Sequence, residues 1–296
     1  PRRVFARGAE RDAAKMIKTA IETGEFGTNQ EGCVSLVGGG PGAKDLITLR
    51  GVQRLQEADV IYFDRLLEPE ILELARRDAE RVYVGKAPGC HSWPQEKITQ
   101  TLVAAAKRGQ RVVRLKCGDP GVFGRSTEEM QALRTAGIPV EVVPGVTAAC
   151  AAAAAVGNSL TERDEVHTLT LTTGHLRDGI ALPDAIRDLK PGQCVALYMA
   201  VGAAADISAQ LQRSHHDIPL EVQIVANAQR PGQVSATCDV ADIPATLATH
   251  GITDTAILFI RWPLRVAVTR SVPVRTVALR ACAMRQSRRL KRKQQC

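Results

Sequence analysis

The sequence predicts an α/β protein built as two α/β domains. Three observations carry this expectation: from Cys33 onward short apolar strands alternate with amphipathic helices, the strands fall into an early and a late set, and an alanine-rich helix separates the two sets. At 296 residues the chain is long enough for two cores. Hydrophobic residues make up 45%, charged residues 24% and aromatics only 3%, a globular profile that excludes a disordered, collagen-like or aromatic-stacking protein.

Taken in order, residues 1–31 hold one helical stretch, about Ala9 to Thr23, and then the loosening run Gly24-Glu25-Phe26-Gly27-Thr28-Asn29-Gln30. They read as the end of a preceding module and its linker, and a chain that begins at Pro1 rather than Met is expected to be a segment of something longer. An N-terminal α/β domain is expected over 32–146. Its strands are Val34 to Val37, Val60 to Phe63, Val82 to Val84, Val112 to Leu115 and Val140 to Val143, in a mostly parallel sheet with crossover helices. Two of those helices carry start signals, because Ser92-Trp93-Pro94-Gln95 and Ser126-Thr127-Glu128-Glu129 both fit a capping box. Gly109 and Gly137 stand where a C-terminal cap is wanted.

After Pro144-Gly145 come Thr147 and the alanine helix, which ends at Gly157 and leads into a C-terminal α/β domain over 147–266. Strands there are Leu169 to Thr172, Cys194 to Tyr198, Val222 to Val225 and Ala256 to Ile260, with helices near Ala203 to Gln212 and Ile243 to Thr249. No long internal repeat is present. Residues 267–296 read as a basic, disordered tail.

The net charge of +8 hides an asymmetry: residues 261–296 contain 11 Lys or Arg and no acid, leaving the rest at 28 basic and 31 acidic residues. Eight scattered cysteines form no C-x-x-C pair and have no histidine at zinc-finger spacing, so free thiols in a reducing compartment and no metal site are expected. The longest apolar run, Ala148 to Val156, is far short of the ~18 residues of a membrane span, and no secretory signal opens the chain. A cytoplasmic protein with no membrane partner is expected.

Ligands of open α/β sheets bind beyond the carboxyl ends of the strands. After the five early strands come Gly38-Gly39-Gly40-Pro41-Gly42, Asp64-Arg65, Gly85-Lys86, Lys116-Cys117-Gly118-Asp119-Pro120 and Pro144-Gly145-Val146-Thr147. Each alone is an ordinary turn; five on one edge favour a site. A competing reading takes Gly38-x-Gly40-x-x-Ala43, with Asp64 further on, as the dinucleotide fingerprint of an NAD-dependent oxidoreductase. Against it, Pro41-Gly42 stands where the phosphate-binding helix should begin, and Lys86 and Gly118-Asp119-Pro120 stay unexplained.

The same residues carry a resemblance. Val37-Gly38-Gly39-Gly40-Pro41-Gly42, Tyr62-Phe63-Asp64-Arg65-Leu66, Val84-Gly85-Lys86, Gln95-Glu96, Arg114 to Pro120, Phe123-Gly124-Arg125, Val143 to Ala148, Leu160-Thr161-x-Arg163-Asp164, Thr173-Gly174-His175 and Tyr198-Met199 fall in the order found in the uroporphyrinogen III C-methyltransferases, members of the tetrapyrrole methylase family. The match runs from about Cys33 to Ile260. Residues 1–31 further resemble the stretch that precedes this module in multifunctional sirohaem synthase.

The resemblance implies two α/β domains with the active site in the cleft between them, S-adenosylmethionine as cofactor, and a homodimer. It also implies C-methylation of uroporphyrinogen III to precorrin-2 through precorrin-1, on a route to sirohaem or a corrinoid. By matching motif the cofactor would touch Pro41, Cys117, Gly118, Asp119, Val122, Thr147, Ala148, Met199 and Ala228, with Asp64 as proton acceptor and Lys86 as proton donor. Cys117 and Ala228 stand where the family usually has glycine.

Physical chemistry agrees with these roles. Methylation of a pyrrole carbon leaves a cationic ring that must shed a proton, which a nearby carboxylate stabilises and accepts. Eight substrate carboxylates call for cations, and Arg65, Lys116 and Arg125 are expected to bind them beside Lys86. Elsewhere, His91 reads as a loop residue, His215-His216 as an exposed turn, and Met199 as cofactor contact or core. Arg163 with Asp164 reads as an ion pair or a substrate contact. A non-enzymatic alternative makes the body a scaffold and the tail a weak polyanion contact, nucleic acid otherwise being no expected partner.

Overall fold

The computed structural model describes residues 9–23, 31–85, 93–174 and 182–264. Contacts divide the chain into two units: one holds the residues up to Gly39 with Ile47–Gly145, the other holds Gly40–Leu46 with the residues from Val146 on. An amphipathic helix α1 (Glu10–Thr23) precedes the first sheet.

In the first unit the order is β1 (Cys33–Gly38), α2 (Leu49–Glu57), β2 (Val60–Phe63), α3 (Pro69–Leu72), β3 (Glu80–Tyr83), α4 (Gln95–Lys107), β4 (Arg111–Lys116), α5 (Ser126–Thr135) and β5 (Val140–Val143). The sheet order is β3-β2-β4-β1-β5 and every pairing is parallel. Parallel strands need crossover helices, which bury both faces of the sheet. Val34, Leu36, Val60, Tyr62 and Val112 pack on one side with Leu102 and Leu133 of the helices. Val37, Ile61, Val113 and Leu115 pack on the other with Leu55 and Ile71. Each fully buried Leu or Ile contributes ~1.5–3 kcal/mol of transfer free energy.

Gly109 and Gly137 both take left-handed backbone conformations, φ 80° and 71°, and their amides close the ends of α4 and α5 onto Ala106 and Arg134 carbonyls. The start of α5 departs from the capping-box expectation. Arg125, not Ser126, is the N-cap, in a left-handed conformation with no side-chain cap. Ser126 instead donates its hydroxyl to the Pro120 carbonyl, and Glu129 turns inward. The N-cap of α4 is Pro94, without a side-chain bond; Ser92 lies outside the described residues.

The second unit runs α6 (Ala148–Ala155), β6 (Thr168–Thr173), α7 (Asp184–Arg187), β7 (Gln193–Tyr198), α8 (Ala204–Ser214), β8 (Glu221–Ala226), β9 (Val234–Cys238), α9 (Ile243–Thr249) and β10 (Ala256–Trp262). Its sheet order is β6-β7-β10-β8-β9, and only β6 and β7 pair in parallel. The mostly parallel expectation therefore holds for the first sheet and not for the second. β9 has no counterpart in the sequence reading; its V-S-A-T-C run is half polar because it is an edge strand. His215 is also corrected. It is buried, donating through Nε2 to the Leu189 carbonyl and meeting Trp262 edge-on, while His216 is exposed beside Asp217.

Among the described residues no helix is long and apolar enough to cross a membrane, and no group of His, Cys, Asp and Glu is placed to hold a metal ion. The tail 267–296, Lys86, His91 and His175 lie outside the described residues.

Candidate active site

In the first unit the loops that leave β1, β4 and β5 meet backbone to backbone. A Cβ on Gly38 would lie 2.6 Å from the Gly145 amide nitrogen and 2.7 Å from the Gly118 carbonyl oxygen; a Cβ on Gly145 would lie 2.2 Å from that same oxygen. No side chain fits there, so Gly38 and Gly145 are required by close approach, and Gly118 by its left-handed backbone, φ 68°. Asp119 fastens the junction, its Oδ2 accepting from the Gly145 amide at 2.9 Å and its Oδ1 from the Gly121 amide at 2.7 Å. Val122 donates its amide to the Asp119 carbonyl. Cys117 points its side chain at the core that contains Leu115 and Ile61, so what it offers this edge is backbone.

The carboxylate expected to act as base stands at the end of β2. Asp64 Oδ2 accepts from Arg114 Nη2 at 3.2 Å, and Oδ1 is buried with no hydrogen-bond partner among the described residues. Arg114, only 4% exposed, is held from every side: Nη1 donates to the Leu115 and Tyr62 carbonyls and Nε reaches Glu129 Oε1 at 3.4 Å. Glu129 is wholly buried and also receives Lys116 Nζ at 3.0 and 3.1 Å and Gln95 Nε2 at 3.0 Å. Burial, and then the neighbouring Arg114 charge, push the Lys116 ammonium below its ordinary range, against the support of Glu129.

This geometry revises the list of substrate-binding cations. The Lys116 ammonium is 5% exposed and engaged by Glu129, so it does not stand ready for a ligand carboxylate. Arg125 is exposed and paired through Nε and Nη2 with the two carboxylate oxygens of Glu128. Arg65 is exposed.

In the second unit Pro41 is buried and its carbonyl accepts from Arg230 Nε at 2.6 Å, while the Arg230 stem lies where a Cβ on Gly42 would fall. The stretch after β1 continues as a short 3₁₀ turn at Lys44–Leu46, and α2 begins only at Leu49, capped by Thr48. A helix N-terminus beside the first glycine loop, which a dinucleotide pyrophosphate needs, is thus missing, and the oxidoreductase reading is not favoured.

Thr147 is the N-cap residue of α6, yet its hydroxyl does not cap; it lies 2.7 Å from Tyr198 Oη, and that oxygen accepts from the Ala149 amide at 3.0 Å. Tyr198 at the end of β7 therefore closes the start of α6. Met199 follows with φ 52°, 53% exposed, and Asn227 and Gln229 flank Ala228 with φ 49° and 61°. Ala228 itself has no positive φ, so its Cβ adds no backbone strain there. Left-handed non-glycine residues cost about 1–3 kcal/mol each and gather at functional loops; Phe123 and Arg125 after β4 and these three after β7 and β8 follow that pattern. Arg163 and Asp164 are both exposed. Arg114, Glu129, Tyr198 and Arg230 went unassigned in the sequence reading. Only Arg114 and Tyr198 carried a signal, as polar residues inside matched motifs.

Glycine loops and a carboxylate at the carboxyl ends of parallel strands define an α/β enzyme that binds a small molecule. The chain belongs to the tetrapyrrole (corrin/porphyrin) methylases, whose sequence profile matches residues 34–244, and it is accordingly a methyltransferase. It is similar to the siroheme synthase of Sodalis glossinidius (strain morsitans), 46% identical over 224 residues, covering 75% of this chain and 47% of that protein. To the siroheme synthase of Chromobacterium violaceum it is 42% identical over 253 residues, covering 86% and 53%. The chain spans about half the length of these curated relatives. Among solved structures it is similar to a uroporphyrin-III C-methyltransferase from Thermus thermophilus complexed with S-adenosylhomocysteine, with TM-score 0.65 and 35% identity, covering 78% of this chain and 97% of that one. A cobalt precorrin-4 methyltransferase of cobalamin biosynthesis matches with TM-score 0.69 and 29% identity over 79% and 96%.

Proposed function

We propose that the chain methylates ring carbons of uroporphyrinogen III, giving precorrin-2 by way of precorrin-1, with S-adenosylmethionine as methyl donor, as one step toward sirohaem or a corrinoid. The observation that carries this reading is Asp64: one oxygen is pinned by a buried arginine and the other is buried and without a partner among the described residues, at the strand ends where the glycine loops also leave the sheet. The similarity to a Thermus enzyme complexed with S-adenosylhomocysteine supports the choice of donor.

Each unit by itself offers residues suited to that donor. In the first unit Gly118 has no Cβ, so its backbone can come close to a ligand, and Cys117, Asp119 and Val122 are assigned contacts beside it; in the second unit Pro41, Thr147, Ala148, Met199 and Ala228 are assigned contacts, most of them small or flexible and apolar. When bound, S-adenosylmethionine supplies an electrophilic methyl, which the ring carbon takes with its π pair while the sulfur keeps the electrons of the broken C–S bond. Asp64 then has two tasks: its charge stabilises the cationic ring, and Oδ1 takes the released proton. Lys86 is assigned proton return. Arg65 and Arg125 are assigned to the substrate carboxylates, Arg125 exchanging Glu128 for the ligand. A homodimer is the assembly proposed, and the siroheme synthase relatives suggest that the natural protein carries a further module.

Purified protein mixed with uroporphyrinogen III and methyl-labelled S-adenosylmethionine should transfer label to the tetrapyrrole. Calorimetric titration should show S-adenosylhomocysteine binding and no comparable response to NAD. Binding of NAD without label transfer would overturn the reading.

A further inference from the structure

The first unit buries more charge than its fold needs. Arg114 and Lys116 lie on β4 with their charged ends out of water, and α5 supplies Glu129, with no exposed surface at all, to meet both. Taking such groups from water costs several kcal/mol per ion, and well-packed apolar residues in their place are often no less stable. A purely structural role explains the cluster poorly, so its use should be sought where the charges point. The chain of contacts ends at Asp64: Glu129 Oε1 to Arg114 Nε, then Arg114 Nη2 to Asp64 Oδ2.

We propose that Glu129 is a positioning residue for methyl transfer, the buried anion that locks Arg114 against one oxygen of Asp64 and keeps the charge around that base balanced. The proposal rests on the assignment of Asp64 as proton acceptor. Its physical content is a count of charges. Asp64 bonds Arg114 and lies within the field of the Lys116 charge, both from β4; Glu129 from α5 meets those two cations, with neutral Gln95 from α4 on Glu129 and the Tyr83 phenol of β3 on the ring of Phe63. Glu128, exposed on α5, is neutralised by Arg125; Lys86 lies outside the described residues. Two buried cations thus meet two carboxylates. With Glu129 in place the second cation is offset. Without it two cations would bear on one carboxylate and hold it ionised, which makes it a poorer base.

The geometry also explains why the residue is a glutamate on the first turn of α5. Arg125 adopts its left-handed conformation and Ser126 bonds back to Pro120. That entry rotates the fourth helical residue toward the sheet, where its two oxygens span Lys116 Nζ and Arg114 Nε.

The test is a set of kcat–pH profiles for wild type, Glu129→Gln, Lys116→Met, the Glu129→Gln/Lys116→Met double variant and Asp64→Asn, each with S-adenosylhomocysteine affinity measured. Glu129→Gln should lower plateau turnover about tenfold and move the acid limb down by about one pH unit, with cofactor affinity within about threefold of wild type. Lys116→Met should move the limb upward. The double variant, which restores the charge count, should bring the limb back to the wild-type position, a rescue that a merely structural role would not give. If Glu129→Gln does not fold, the upward shift in Lys116→Met decides. Loss of turnover in Asp64→Asn with unshifted profiles in the other variants overturns the role of Glu129 and leaves that of Asp64 standing. Full turnover in Asp64→Asn overturns both.

Discussion

Replacing Gly145 by alanine tests whether the meeting of three strand-end loops holds the residues proposed to contact the cofactor. Gly145 does not have a positive φ, so alanine meets no conformational obstacle there; the obstacle is contact alone. Its Cβ would stand 2.2 Å from the Gly118 carbonyl oxygen and 2.9 Å from Gly38 Cα, both backbone atoms that no rotamer change can move. Relief requires a retreat of about 1 Å, which also stretches the bond from the Gly145 amide to Asp119. Overpacking typically costs about 1–3 kcal/mol, and weakening a hydrogen bond to a carboxylate adds about 1 kcal/mol or more, so a loss near 3 kcal/mol is expected. The chain has two tryptophans, one in each unit, Trp93 and Trp262. In a Trp262→Phe background, urea unfolding followed by Trp93 fluorescence reports on the first unit. Turnover should fall about 100-fold, the scale set by a 1 Å misplacement. Gly137→Ala is the control: its φ is 71° with nothing within 4 Å of the added Cβ, so only about 1 kcal/mol of backbone strain is expected. A wild-type unfolding midpoint and wild-type turnover in Gly145→Ala would refute the crowded junction.

Arg230→Ala should weaken S-adenosylhomocysteine binding about tenfold by freeing the Pro41 carbonyl, with little change in unfolding midpoint; unchanged calorimetric affinity would remove Pro41 from the proposed cofactor contacts. Cys117→Gly should leave that affinity within a few fold and lower stability by about 1 kcal/mol, because the thiol faces the core and glycine loosens the unfolded chain; complete loss of label transfer would mean the thiol takes part in the chemistry. The Cys194 thiol is pushed up to about 11 by burial, from 9.0. The folded state therefore keeps a proton that the unfolded chain gives up, so this contribution is intact below pH 9 and is lost as pH rises toward 11, by about 2–3 kcal/mol at most. Cys194→Ala should flatten that alkaline decline in urea midpoints.

β1, β2 and β4 were legible because valine- and leucine-rich runs fill them and helices with glycine stops at Gly109 and Gly137 separate the later strands; β3, expected over Val82 to Val84, instead spans Glu80–Tyr83, its first two residues charged and exposed at the sheet edge. Strand direction in the second sheet was not: periodicity is the same in parallel and antiparallel pairs, and β9 shows polar residues along an edge. At the site, Asp64, Gly118 and Asp119 were visible as strand-end residues. Glu129 was hidden because Ser126-Thr127-Glu128-Glu129 fits a capping box equally well. What decided between the readings was the left-handed Arg125, a backbone choice that its side-chain type does not announce. Lys116 shows the same limit, since a lysine after a strand looks free until an acid from a distant helix meets it. Arg230 reaches Pro41 across 189 positions of sequence, a separation that local pattern cannot bridge.

The place of β10 in the middle of the second sheet, between β7 and β8, sets an order on how the chain is made. The first sheet is complete once the ribosome has passed Val143. The second is not: after Cys238 emerges, the parallel pair β6-β7 and the hairpin β8-β9 are present as two half-sheets, each with an edge that β10 alone will cover. Such edges pair readily with other chains. Any stall or truncation between Cys238 and Ala256 would therefore release a chain with a finished first unit and a second one open to aggregation, which makes the interval before the last strand the vulnerable moment in its biogenesis.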